Sequence, residues 1–102
     1  MNILIVGGGL QALSVARSLK KERYSVIALL HRGDISTKSK YIDELYTIDI
    51  TPTYKKEYLS SVHRVLQVHA ISVIIPLSDV TAEFLSIHKV NLEHEYLSLI
   101  HI

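Results

Sequence analysis

Three short segments of this chain combine residue types and spacings that can do chemistry. Gly7-x-Gly9-x-x-Ala12 follows the apolar run Ile3 to Val6 and opens a helical pattern, with Gly8 making the turn a continuous triplet. Glycines there permit a tight turn and the close approach of a phosphate, while free N–H groups and the helix dipole favour an anion. The same glycines serve equally well to let a helix pack closely on a sheet, so the pattern points to an architecture before it points to a ligand. Ser78-Asp79 stands between another apolar run and another helical pattern, where it can cap the helix and can also line a cleft. Lys38-Ser39-Lys40-Tyr41 falls in the polar stretch after the second apolar run, on the edge expected to face ligand, although exposed Lys and Ser in a loop need no function to explain them.

Other chemistries find less support. An NAD site places Asp or Glu at the end of the second strand to accept ribose hydroxyls, and this chain has Leu30-His31-Arg32-Gly33 there. His31 and Arg32 can meet a ribose 2′-phosphate, as in NADP, or simply form a solvated turn. The triple glycine lacks the Lys-[Ser/Thr] of a P-loop. The histidines, His31, His63, His69, His88, His94 and His101, include no His-x-x-x-His pair around a helical Glu, so no metal is expected; His69 and His88 suit the boundary of a core. There is no cysteine for a disulfide or a thiolate nucleophile, which fits a reducing, cytoplasmic setting.

Eleven Lys plus Arg against ten Asp plus Glu leave a formal charge of +1, and the basic residues are dispersed. Neither nucleic acid nor an anionic membrane is an expected partner. Met1 to Val6 is too short an apolar stretch for a signal peptide, and no window approaches the length of a membrane span.

The elements that must position these residues follow from hydrophobic periodicity. Ile3 to Val6 predicts a buried strand, and Leu10 to Lys21 a helix with Ala12, Leu13, Ala16 and Leu19 on one stripe. Ser25 to Leu30 predicts a second strand, parallel to the first through a right-handed crossover. Ile35 to Asp43 reads as a loop or short irregular helix before a third strand around Leu45 to Ile48. Thr51-Pro52-Thr53 suits a helix start, and Tyr58, Val62, Val65, Leu66 and His69 recur at helical spacing from Tyr54 to His69. Ser72 to Leu77 predicts a fourth strand with Pro76 near its end. A last helix after Ser78-Asp79 keeps Val80, Phe84, Leu85, His88, Leu92 and Tyr96 in period and is expected to reach Leu99.

The expected fold is therefore α/β: an open, doubly wound (Rossmann-like) parallel sheet of about four strands, ordered 3-2-1-4, with helices on both faces. Its 102 residues, 48% hydrophobic, make one domain. A domain of this size buries only about two thirds of the surface that its unfolded chain exposes, so any face made to meet another domain matters.

Taken together, Asn2-Ile3-Leu4-Ile5-Val6-Gly7-Gly8-Gly9, Ser39-Lys40-Tyr41-Ile42-Asp43-Glu44-Leu45-Tyr46 and Val73-Ile74-Ile75-Pro76-Leu77-Ser78-Asp79 resemble the N-terminal (pre-ATP-grasp) domain of ATP-grasp carboxylate–amine ligases, such as the carbamoyl phosphate synthase large chain and biotin carboxylase. The resemblance implies that Gly7, Gly8, Gly9, Ser39, Tyr41, Ser78 and Asp79 border the substrate side of a cleft and that the glycine turn grips no nicotinamide cofactor. It implies ATP and Mg2+ bound by downstream ATP-grasp domains of the same chain, and small carboxylate and amine substrates. This segment would contribute no catalytic, cofactor-binding or metal-ligating residue and would be inactive alone, as the N-terminal part of a longer enzyme; self-association into a homo-oligomer is compatible with it. The rival expectations are an NAD(P)-binding domain and a non-enzymatic protein-interaction module.

Overall fold

A computed structural model describes residues 1–34, 38–49, 55–96 and 99–100. Strand β1 (Asn2–Val6) is buried from Ile3 onward because it lies in the middle of the sheet with helices on both sides. Helix α1 (Leu10–Lys21) returns the chain to the start of β2 (Ser25–His31), which pairs parallel with β1 from Asn2↔Ser25 to Val6↔Leu29. The return is sharp. Arg23 takes a left-handed φ of 66°, its N–H donates to the Lys20 carbonyl at 2.9 Å, and the Tyr24 N–H donates to that of Leu19 at 3.1 Å. These two bonds satisfy the last carbonyls of α1 in a Schellman arrangement, with arginine at the position that glycine usually fills.

Strand β3 (Glu44–Ile48) lies outside β2, helix α2 (Lys55–Val68) crosses the other face, and β4 (Ile71–Pro76) pairs parallel with β1 on its far side. Helix α3 (Asp79–Tyr96) then leads to β5 (Leu99–Ile100), parallel to β4. The order β3-β2-β1-β4-β5 contains the expected 3-2-1-4 and adds a fifth, edge strand. The fold is an open Rossmann-like parallel sheet. Leu99, the expected end of the last helix, lies in β5 instead: a brief apolar run does not choose between helix and strand by itself, and the open N–H and C=O groups along β4 supply the ladder that selects strand. The predicted Thr51–Thr53 helix start lies outside the described residues.

Two cores follow from this layering. On one face Ala12 and Ala16 of α1 pack on Ile5, Val26, Ala28, Leu30 and Leu77. On the other, Tyr58, Val62, Val65 and Leu66 of α2 meet Phe84, Leu85 and Leu92 of α3 above Leu4, Val6, Ile27, Leu29 and Ile74. Alternation along the central strands divides their side chains between these cores, which is why each strand reads as a continuous apolar run. Val80 departs from the expected helical stripe and is 55% exposed, because α3 turns its Phe84 side to the sheet.

Candidate functional site

The C-terminal ends of β1, β2 and β4 bring three groups together. The first is the glycine turn: Gly7 and Gly9 have φ of 100° and 91°, and the Gly9 carbonyl accepts the Ala12 N–H at 3.1 Å to begin α1. Gly9 brings no side chain to cap its helix. The capping acceptor is supplied from elsewhere. Asp34, beyond the end of β2, places Oδ2 2.9 Å from the Gly9 nitrogen and accepts its N–H. The carboxylate lies so close over the turn that a Cβ on Gly8 would collide with it. The structure therefore sets a carboxylate where the sequence pattern offers N–H groups to an anion.

Asp34 was not legible as part of this rim. The acid of a dinucleotide site is sought at the end of the second strand, and Leu30 to Gly33 holds none. The structure carries β2 through His31 and turns on Gly33 at φ 88°, with the Asp34 N–H donating to the His31 carbonyl at 3.0 Å. That turn sends Asp34 back over the glycines, so the rim does hold an acid. Arg32 points elsewhere and pairs with Asp49 at 2.9 Å on an exposed surface.

The third group opens α3. The Ser78 hydroxyl accepts the Thr81 N–H at 3.2 Å, and the Thr81 hydroxyl accepts the Ser78 N–H at 3.1 Å. This is the reciprocal geometry of a capping box, with Thr81 in the place of the usual Glu or Gln. Thr81 is 3% exposed, and its Oγ1 is also 3.4 Å from the Val6 carbonyl. A Cβ on Gly7 would lie 3.1 Å from that same Oγ1 and 3.5 Å from the Ser78 hydroxyl. Gly7 is thus small because the α3 cap rests against it. Ser78 does the capping, and Asp79 begins the helix as an exposed carboxylate.

Ser39 and Tyr41 lie in the stretch before β3. Ser39 Oγ accepts the Tyr41 N–H at 3.1 Å, and Tyr41 is half-buried against the core beneath α1. Two residues later Asp43 has reached the opposite end of the sheet. Its backbone N–H donates to the Val26 carbonyl at 2.8 Å, its Oδ2 accepts the Val26 N–H at 2.7 Å, and Lys20 pairs with it at 3.0 Å. Burial pushes the Asp43 pKa up, but the Val26 N–H and the Lys20 ammonium outweigh it and hold the carboxyl below its ordinary value. Among the described residues no hydrogen bond joins Ser39 or Tyr41 to the glycine turn or to Ser78.

A shallow cavity of about 450 Å³ adjoins the rim, lined by Gln11, Ser14 and Val15 of α1 and by Ile75, Pro76 and Leu77. A second, of about 410 Å³, lies between α2 and the later half of α3, with His63, His88 and His94 among its lining residues. Among the described residues no group of three or more His, Asp or Glu is arranged to hold a metal ion, and no helix is long and apolar enough to cross a membrane. Comparison with protein-family models and with curated proteins finds no match.

Proposed function

We propose that this chain forms one wall of the active cleft in an ATP-dependent carboxylate–amine ligase of the ATP-grasp type, with the glycine turn and the start of α3 on the substrate side. The observation that carries this reading is the Asp34 carboxylate on the Gly9 N–H. A dinucleotide lays its pyrophosphate at that helix start, and here a negative group of the chain already occupies it; a second anion would meet like charge at short range. A turn filled from within shapes a surface and leaves phosphate binding to other domains. The reaction would belong to a longer polypeptide: phosphoryl transfer from ATP to the carboxylate would give an acyl phosphate and ADP, the amine would displace phosphate from it, and Mg2+ held by other domains would supply charge neutralisation. Exposed Asp79 is the carboxylate of this rim with charge to offer a cationic amine.

The second reading, an NAD(P)-binding domain, is favoured by left-handed Gly7 and Gly9 directly after β1. It requires Asp34 to leave the Gly9 N–H. Two measurements decide between them. The full-length polypeptide, assayed across amino acids and small carboxylic acids, is expected to release phosphate from ATP only with a carboxylate present and to yield a hydroxamate when hydroxylamine intercepts the acyl phosphate. The 102-residue chain titrated with NADH and NADPH is expected to show no saturable binding. Micromolar saturation by either would reverse the assignment.

A further inference from the structure

The sheet reverses its direction of growth at one place. From β1 the chain steps outward to β2 and β3, then crosses back to β4 and β5, so that β1 and β4 are neighbours without being consecutive. Helix α1 packs on one face there, and α2 and α3 pack on the other. In open α/β sheets ligands lie in the crevice beyond the carboxyl ends of two such strands. The cavity of about 450 Å³ is at that place: Gln11, Ser14 and Val15 come from the first two turns of α1, and Ile75, Pro76 and Leu77 from the end of β4 and the residue after it.

The chemistry of this crevice selects its occupant. Val15, Ile75, Pro76 and Leu77 are apolar, Gln11 and Ser14 are exposed and uncharged, and no lining residue is ionisable. An ionised group laid on such a surface loses water and gains no counter-charge, whereas an aliphatic group gains by leaving water. Proline has no N–H, so Pro76 offers an anion no backbone donor. The rim end differs. Asp34 rests on Gly9, two residues before Gln11, and exposed Asp79 follows Leu77 by two. Two carboxylates thus stand at that end, while the basic Arg17 and Lys21 line a separate depression that shares only Ser14 with the crevice. We propose that the crevice receives the side chain of the amine substrate, a primary amine with a branched aliphatic body, whose ammonium meets Asp79. The role of that amine as substrate rests on the ligase reading; the preference of the crevice is a property of this chain alone.

Binding needs no turnover, so the 102-residue chain itself supplies the test. Its amide NMR signals at Gln11, Val15, Ile75 and Leu77 are expected to shift saturably with 3-methylbutylamine at millimolar concentration, the range open to a ligand of so few atoms. Ethylamine lacks most of the aliphatic body, and 3-methylbutanoate keeps the carbon skeleton with the opposite charge; each should bind about tenfold more weakly or worse. Ser14→Phe, at an exposed position, should keep the far-ultraviolet spectrum and abolish the saturable shifts by filling the crevice. Asp79→Asn should remove the preference for amine over acid while 3-methylbutylamine still shifts the same amides. Shifts that rise without saturating, ethylamine binding as tightly, or 3-methylbutanoate binding as tightly would each overturn the proposal. Hydroxamate formation judges the ligase reading separately: selective binding without it leaves an amine-binding crevice and removes the ligase, and carboxylate-dependent phosphate release with no selective binding removes the crevice and leaves the ligase.

Discussion

At the scale of single residues, the rim is explained by what each glycine must avoid. Gly7 combines a φ of 100° with the Thr81 hydroxyl 3.1 Å from where its Cβ would be, so backbone and neighbour both require glycine. Gly8 differs: what excludes a side chain there is the Asp34 carboxylate, the mobile end of a residue from another loop. Coupling between the two positions follows. Asp34→Ala removes a charged acceptor from the Gly9 N–H and should cost about 1–2 kcal/mol. Gly8→Ala should cost about 1 kcal/mol by displacing the same carboxylate, and adding it to Asp34→Ala should cost almost nothing more. Urea denaturation of the four proteins measures this cycle; full additivity would mean that Asp34 does not rest on the turn.

At the scale of elements, the start of α3 separates capping from ligand contact. Ser78 and Thr81 share both bonds of the cap, so Ser78→Ala should lower stability by about 1 kcal/mol. Asp79→Asn removes only a favourable charge near the helix dipole and should cost a few tenths of a kcal/mol. In the ligase proposed above, Asp79→Asn is then expected to raise KM for the amine while thermal denaturation stays nearly unchanged. An unaltered KM would leave Asp79 as a solvated first-turn acid. The element also shows how both sides of one helix can mislead: Val80 shares the apolar character of Phe84 and Leu85, yet it faces outward.

At the scale of the molecule, stability should have a pH plateau with identifiable flanks. The Asp43 carboxyl, which ties α1, β2 and β3 together, has its pKa lowered in the fold. A depressed carboxylate stabilises above its unfolded pKa, and that contribution is lost as pH falls through the folded value. Tyr58 lies 3% exposed, edge-on to Phe84 at 5.0 Å, and burial pushes its phenol up to about 12. Here the folded value is raised, so the contribution is complete below the ordinary tyrosine pKa and disappears as pH rises through about 12. Urea midpoints across pH should therefore fall less steeply toward acid in Asp43→Asn and less steeply toward alkali in Tyr58→Phe. Unchanged slopes would remove these groups from the account.

The sequence by itself determined what depends on near neighbours. Apolar runs marked β1, β2 and β4, helical spacing marked α1 and α2, and glycines after β1 marked the crossover, because strand and helix periods are written in consecutive residues. Parallel order followed from connection length and handedness. What only the tertiary structure decided lies in contacts between distant segments: Asp34 reaching back 25 residues to Gly9, Thr81 meeting the Val6 carbonyl across 75, and Asp43 clasping Val26 at the far end of the sheet. The pairing of Leu99–Ile100 with β4 belongs with them. No local period encodes such meetings, since each becomes favourable only after the sheet has assembled and left a particular N–H or carbonyl in need of a partner.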